Sequence, residues 1–211
     1  MDRRLKYFLC LMTLHSSLLI TSTIAGSKVF ALPLGLSASA TVFSYMLTFV
    51  ILDTIAELYG RSYSRFVINL GLIGMALSAA YFEFTIILPP AGEWRYQQAL
   101  ETVLGSSIRI WLAGWTAYML SQNLDLWSFL RLKEIAKGRG SIVLRAWLSM
   151  VLAQLFDTTV FVTIAFYGVV PIGQLIVGQF LIKVAIASLV SPLVPIAVLS
   201  GRKWIEKPHP A

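Results

Sequence analysis

One cysteine, Cys10, occurs in 211 residues. No intramolecular disulfide and no thiolate metal cluster can form. Two histidines, His15 and His209, are too few for a histidine-based metal centre. Charge is scarce too. Only 13% of the residues are Asp, Glu, Lys or Arg, against about 25% in average soluble domains. With so little polar surface, a soluble core of this size would be left uncovered. Acidic residues are scarcer than basic ones, 10 against 17, which leaves a net charge of +7. What is abundant is apolar: 57% of the residues are hydrophobic and the mean hydropathy is +0.77. The length therefore divides into membrane spans, each needing about 20 apolar residues to cross roughly 30 Å of hydrocarbon.

Six apolar runs are predicted, at 5–25, 34–55, 65–88, 105–130, 142–168 and 172–199. Lipid offers no partner to backbone N–H and C=O groups, so spans must be helices or a closed barrel. Runs this long without alternation are helices. The expected fold is an all-α integral membrane protein, 1–211 forming a single transmembrane domain. The first run reads as a span and not as a cleaved signal, because it is long, contains His15 and has no isolated small-x-small site. The longest connection, 89–104, opens with Pro89-Pro90.

The basic residues sort by side. Arg3, Arg4, Lys6, Arg61, Arg65, Arg131, Lys133, Lys137, Arg139, Arg145, Arg202, Lys203 and Lys207 all fall on one side if six helices alternate. By the positive-inside rule that side is cytoplasmic and holds both termini. The basic balance is thus a matter of topology, and no nucleic-acid partner is expected.

Ionisable groups inside a span cost about 2.5–3.5 kcal/mol at the helix centre and face the bundle interior. Asp157 and Lys183 fall at similar depth in the fifth and sixth spans. They read either as a structural ion pair or as contacts to a polar substrate. Gln-x-x-Asp occurs twice, as Gln122/Asp125 and Gln154/Asp157, and residues three apart share a helical face. An amide donates and accepts, whereas a carboxylate only accepts. Two such pairs beside Lys183 favour a ligand site over interhelical polar glue. Tyr118 and Gly114 continue the Asp125 face, one to stack on a ring and one to leave room. Gln179, a turn before Lys183, supports it. Thr21, Ser22 and Thr23, followed by Lys28, close the first span and line an outer vestibule. Asp53 and Glu57, four apart, with Arg61 and Arg65 continuing the face, read either as a charge-paired helix end or as a cytoplasmic gate. Gly71, Gly74 and Ser78 share a face suited to close helix contact, and Pro192 and Pro195 are expected to kink the sixth span. Tyr45-Met46-Leu47-Thr48 resembles Tyr118-Met119-Leu120-Ser121, which hints at an internal duplication.

Signatures of catalysis are missing. There is no serine-protease nucleophile site paired with a late membrane histidine, no glycine-rich phosphate loop and no zinc-binding helix pair. A non-enzyme without cofactor or metal is expected.

The segments Leu52-Asp53-Thr54-Ile55-Ala56-Glu57-Leu58-Tyr59-Gly60-Arg61, Gln122-Asn123-Leu124-Asp125-Leu126-Trp127-Ser128-Phe129 and Gln154-Leu155-Phe156-Asp157-Thr158-Thr159-Val160-Phe161, followed by Ile164-Ala165-Phe166 and Lys183, resemble the queuosine precursor transporter family, also called the vitamin uptake transporter (VUT) family. The likeness runs through most of the chain in the same order. It differs in carrying Thr23 where many members have asparagine, while Lys28 is kept. The resemblance implies a six-helix protein of the bacterial inner membrane. It also implies import of 7-cyano-7-deazaguanine, with 7-aminomethyl-7-deazaguanine as a second candidate, for queuosine salvage into transfer RNA. On that reading Gln122, Asp125, Gln154, Asp157, Lys183 and Tyr118 bind the deazapurine, and Asp53, Glu57 and Lys28 serve the gate or coupling. Two other readings stay open. One is a substrate-capture subunit for another small heterocycle, working with a separate ATPase module; the other is a structural membrane protein. The expected partners are the small substrate and membrane lipid, and a homo-oligomer is compatible with the sequence.

Overall fold

A computed structural model of the chain describes residues 2–31, 37–105, 108–168 and 172–206. Residues 34–36 of the second expected span, 106–107 of the fourth, Lys207 and His209 lie outside the described residues. The described residues are mostly helical, with one small hairpin and short connections. The order is α1 (Arg3–Ala25), β1 (Val29–Ala31), β2 (Ser37–Ser39), α2 (Thr41–Tyr59), α3 (Arg61–Ile87), α4 (Gln97–Leu104), α5 (Ile108–Ile135), α6 (Ile142–Phe166), α7 (Ile172–Val190) and α8 (Leu193–Glu206). The all-α membrane architecture is the expected one. Five helical segments, with α7 and α8 counted together, are long and apolar enough to cross a membrane. The sixth long helix, α5, is less apolar because it carries Gln122, Asn123 and Asp125.

Local chemistry sets the helix ends. Asp2 caps α1 by accepting from the Arg4 N–H at 3.3 Å, and Ser141 caps α6 by accepting from Leu144 N–H at 3.4 Å, each satisfying an orphan donor of the first turn. Gly60 divides α2 from α3 at φ 86°, a conformation that a side chain rarely tolerates. That turn overturns one expectation. Arg61 and Arg65 open α3 and are exposed, so they do not continue the Asp53–Glu57 face of α2. The second span also begins later than expected, at Thr41, because β2 pairs antiparallel with β1, Val29 opposite Ser39. The sixth span is broken outright. α7 ends at Val190 and α8 restarts at Leu193, since Pro192 has no N–H to continue the ladder.

α2 is the central helix, the most buried of the candidate spans. It touches α1, α3, α5, α6, α7 and α8. Met46, Phe49 and Leu52 from α2 join Tyr118, Leu126 and Phe129 from α5 and Ala146, Met150 and Ala153 from α6 in the main apolar cluster. The two ends of the bundle differ. At the terminal end, α1 meets α8 through the Tyr7 hydroxyl, which donates to Ala197 O at 2.9 Å, and meets α2 through the Tyr59 hydroxyl, which donates to Arg4 O at 2.8 Å. The opposite, hairpin end holds β1, β2 and α4.

Of the two glycines on α3, Gly71 is the close packing point. A Cβ there would run into the Tyr118 hydroxyl and the Leu19 side chain, whereas one at Gly74 would meet nothing within 4 Å. Gly71→Ala should therefore overpack the α1–α3–α5 junction at a cost of about 1–3 kcal/mol. The check is a lower melting temperature of the detergent-purified chain, with Gly74→Ala unchanged.

Candidate functional site

A cavity of about 570 Å³ opens toward the hairpin end, within the roughly 300–1,000 Å³ of small-molecule sites. Its walls come from Ser22 and Thr23 at the end of α1, Thr41 to Met46 of α2, Met75 to Phe82 of α3, and the C-terminus of α4. α5 adds Trp111, Gly114, Trp115 and Tyr118; α6 adds Asp157 and Phe161; α7 adds Gln179 and Lys183. Gly114 leaves open space, with nothing within 4 Å of the Cβ it lacks.

The floor is polar. Lys183 Nζ donates to Asp157 Oδ2 at 2.5 Å, with side chains 9% and 8% exposed. Asp157 Oδ1 accepts from the Tyr45 hydroxyl at 3.0 Å and the Ser121 hydroxyl at 3.1 Å. The carboxylate is thus fixed by α2, α5 and α7 at once. Pairing and hydrogen bonding offset the desolvation of such charges.

Gln122 and Gln154 lie one helical turn toward the terminal end and do not line the cavity. Both are wholly buried. Gln122 Nε2 donates to Thr48 Oγ1 at 3.0 Å, while its Oε1, both side-chain polar atoms of Gln154 and the Thr158 hydroxyl have no partner among the described residues. Each buried polar atom left this way costs about 1–3 kcal/mol.

A further turn down, Asp53 and Asp125 lie wholly buried and within side-chain hydrogen-bonding reach of each other, with Ser149 alongside. Below them Glu57, 6% exposed, gathers three cations. Lys133 Nζ stands 3.0 Å away, Arg145 Nη2 3.4 Å and Arg202 Nη2 3.8 Å. The Arg145 guanidinium also lies 5.0 Å from the centroid of the Phe129 ring.

The sequence-derived site therefore splits by depth. Tyr118, Asp157 and Lys183 meet at the cavity. Gln122 and Gln154 form a layer beneath it. Asp125 joins Asp53, not Asp157. Tyr118 is 1% exposed and its hydroxyl donates to Ile68 O at 3.0 Å, so its ring is pinned in the wall. Lys28 is exposed at the hairpin end, off the cavity wall. Sequence reasoning missed Tyr45, Thr48, Ser121 and Arg145. A signal existed for the first three. The two similar tetrapeptides place Tyr45 and Thr48 on α2 against Ser121 and Gln122 on α5, with the Tyr45 and Ser121 hydroxyls 3.2 Å apart.

Comparisons with known proteins agree with this multi-pass architecture. A "Probable queuosine precursor transporter" of Bacillus subtilis (strain 168) is 29% identical over 161 residues, covering 75% of this chain and 70% of that protein. No solved structure matches. Residues 39–197, which contain every polar layer from Tyr45 to Lys183, match the family described as "Putative vitamin uptake transporter", and the chain belongs to that transporter family.

Proposed function

We propose that the chain imports 7-cyano-7-deazaguanine, and with it 7-aminomethyl-7-deazaguanine, across the bacterial inner membrane for queuosine salvage. Both termini are then cytoplasmic, and the hairpin end faces outward. The observation that carries this is the Asp157–Lys183 pair at the floor of an aromatic-walled cavity open at one end. A deazaguanine presents N1–H and an exocyclic amine on one edge, and a carboxylate accepts both. Its carbonyl oxygen needs a donor, and Lys183 stands beside Asp157 to supply it. Trp111 and Trp115 offer flat faces to the ring. The name of the Bacillus relative points to the same substrate class.

Four polar layers then mark the route: Asp157–Lys183, Gln122–Gln154, Asp53–Asp125 and the Glu57 hub. The unsatisfied amides of the second layer can bond the heterocycle as it descends. The Glu57 hub is the inner gate, closed while the outer cavity is open. Lys28 lies at the outer mouth, where it meets incoming solute.

The test is queuosine in transfer RNA of a strain unable to make the precursors. This chain should restore it at low external 7-cyano-7-deazaguanine. Gly114→Leu puts a side chain into the cavity from a position whose Cβ would meet nothing within 4 Å, so restoration should fall at least tenfold. Failure of the unaltered chain to restore queuosine with either deazaguanine would sink the reading.

A further inference from the structure

The Asp53–Asp125 pair lies beneath the cavity floor and the glutamine layer, off the cavity wall. Both side chains are wholly buried. Among the described residues, no lysine, arginine or backbone N–H is bonded to any of the four carboxyl oxygens. The Ser149 hydroxyl lies beside Asp125. Two bare carboxylates in contact repel strongly in a low dielectric, so such a pair holds one proton between them.

A second observation stands apart from the acids. Arg145 on α6 is 6% exposed, and its Nε and Nη1 bond nothing among the described residues. Its Nη2 donates to Glu57 at 3.4 Å, and the guanidinium plane otherwise rests over the Phe129 ring. The guanidinium is close enough to Asp53 to act on its carboxyl electrostatically. Asp53 and Glu57 are four apart on α2, hence on one face and one turn, about 5.4 Å, apart along it. Orphaned donors and orphaned acceptors are therefore one helical turn out of register. One-turn steps of a side chain past a facing helix are a known form of conformational switch.

We propose that the Asp53–Asp125 pair carries the proton that drives transport, and that Arg145 expels it by stepping from Glu57 to Asp53 as the inner gate opens. This rests on the transport reading above. The proton arrives from the outer cavity past the Gln122–Gln154 layer and is held as an O–H on one carboxyl, bonded to the other. When Arg145 leaves Glu57, its N–H groups take the place of that proton, the O–H bond breaks, and the proton passes to cytoplasmic water. The other charged groups nearby are already engaged. Lys133 of α5 and Arg202 of α8 face Glu57, and Lys183 of α7 is held by Asp157 two layers away. The cycle thus moves a proton inward with each solute and leaves Glu57 to Lys133 and Arg202 in the inward-facing state.

The full-length chain in proteoliposomes enclosing a pH-sensitive dye tests this. Entry of 7-cyano-7-deazaguanine should acidify the lumen in proportion to uptake. Asp53→Asn and Asp125→Asn remove the site that takes up and releases the proton. They should lose acidification and at least tenfold of the accumulation driven by an inward proton gradient. An infrared spectrum of the substrate-free wild-type chain at neutral pH should contain a protonated-carboxyl band that the double variant Asp53→Asn with Asp125→Asn removes. Uptake by the wild-type chain without acidification, or a spectrum lacking that band, overturns the proposal even if the variants do not fold. A wild-type chain that moves no deazaguanine at all removes the transport reading itself, and the coupling with it.

Discussion

Uptake of 7-cyano-7-deazaguanine should fall to background in Asp157→Asn, and should stay there when Lys183→Met is added. The amount of protein should behave differently. The single change leaves Lys183, whose side chain is 9% exposed, without its carboxylate, and breaking a buried pair from one side costs about 3–5 kcal/mol. The single variant should therefore be depleted from the membrane. The double variant removes both charges, and replacing a buried pair by neutral groups is often free of cost. Its membrane level should recover toward that of the wild-type chain. The two readouts part in a way that packing alone does not allow. If the pair were only structural glue, uptake would return together with the protein. If it contacts the heterocycle, the recovered protein stays inactive, because neither a bidentate acceptor nor a cationic donor remains. Quantitative immunoblots beside radiolabelled uptake in intact cells decide between them. Tyr45 and Ser121 also hold Asp157, so the carboxylate position keeps an ordered neighbourhood in the double variant.

That experiment also marks how far the sequence could be read. Charge scarcity and run length were enough for a multi-helix membrane protein, because the hydrocarbon leaves the backbone so few alternatives. Counting Lys and Arg gave the expectation that both termini are cytoplasmic, which rests on the positive-inside rule alone. Depth matching placed Asp157 with Lys183, and helical spacing placed Gln154 beneath Asp157. What could not be read was partnership between helices. Gln122-x-x-Asp125 and Gln154-x-x-Asp157 look equivalent in the chain. α5 and α6 run in opposite directions, however, so Asp125 lies a turn below Gln122 and Asp157 a turn above Gln154. The two motifs meet at the glutamines, and their aspartates point apart in depth, one to Lys183 and one to Asp53. Nor could the sequence rank α2 as the central helix, since every span is apolar and only packing distinguishes an inner one. The strands Val29–Ala31 and Ser37–Ser39 are too short for any periodicity to register. Gly60 was visible, but its positive φ, which ends the Asp53–Glu57 face before Arg61, was not.

Glu57→Gln should open the inner gate proposed at the Glu57 hub. The contacts with Lys133 and Arg202 involve cations 36% and 52% exposed, and pairs of that kind contribute less than about 1 kcal/mol each. The contact with Arg145 is different, since both side chains are under a tenth exposed. Losing the negative charge removes all three attractions at once, and a shift of about 1.4 kcal/mol in the balance between two states changes their ratio tenfold. The inward-facing population should thus rise at least tenfold. Ser128→Cys on α5, 5% exposed and below Asp125, reports it in a Cys10→Ser background. A membrane-impermeant thiol reagent applied to inside-out vesicles should label that cysteine at least tenfold faster in Glu57→Gln. Binding of deazaguanine from the outer side should weaken by a similar factor, because the outward-facing state that owns the cavity is drained. Arg145 is the complication, as its guanidinium is left buried beside no carboxylate of α2 but Asp53. Glu57→Gln with Arg145→Met removes that penalty while keeping the hub unmade, so faster labelling in the double variant traces to the seal and not to misfolding. Equal labelling rates in all three chains would mean that the cations around Glu57 stabilise the terminal end without gating it.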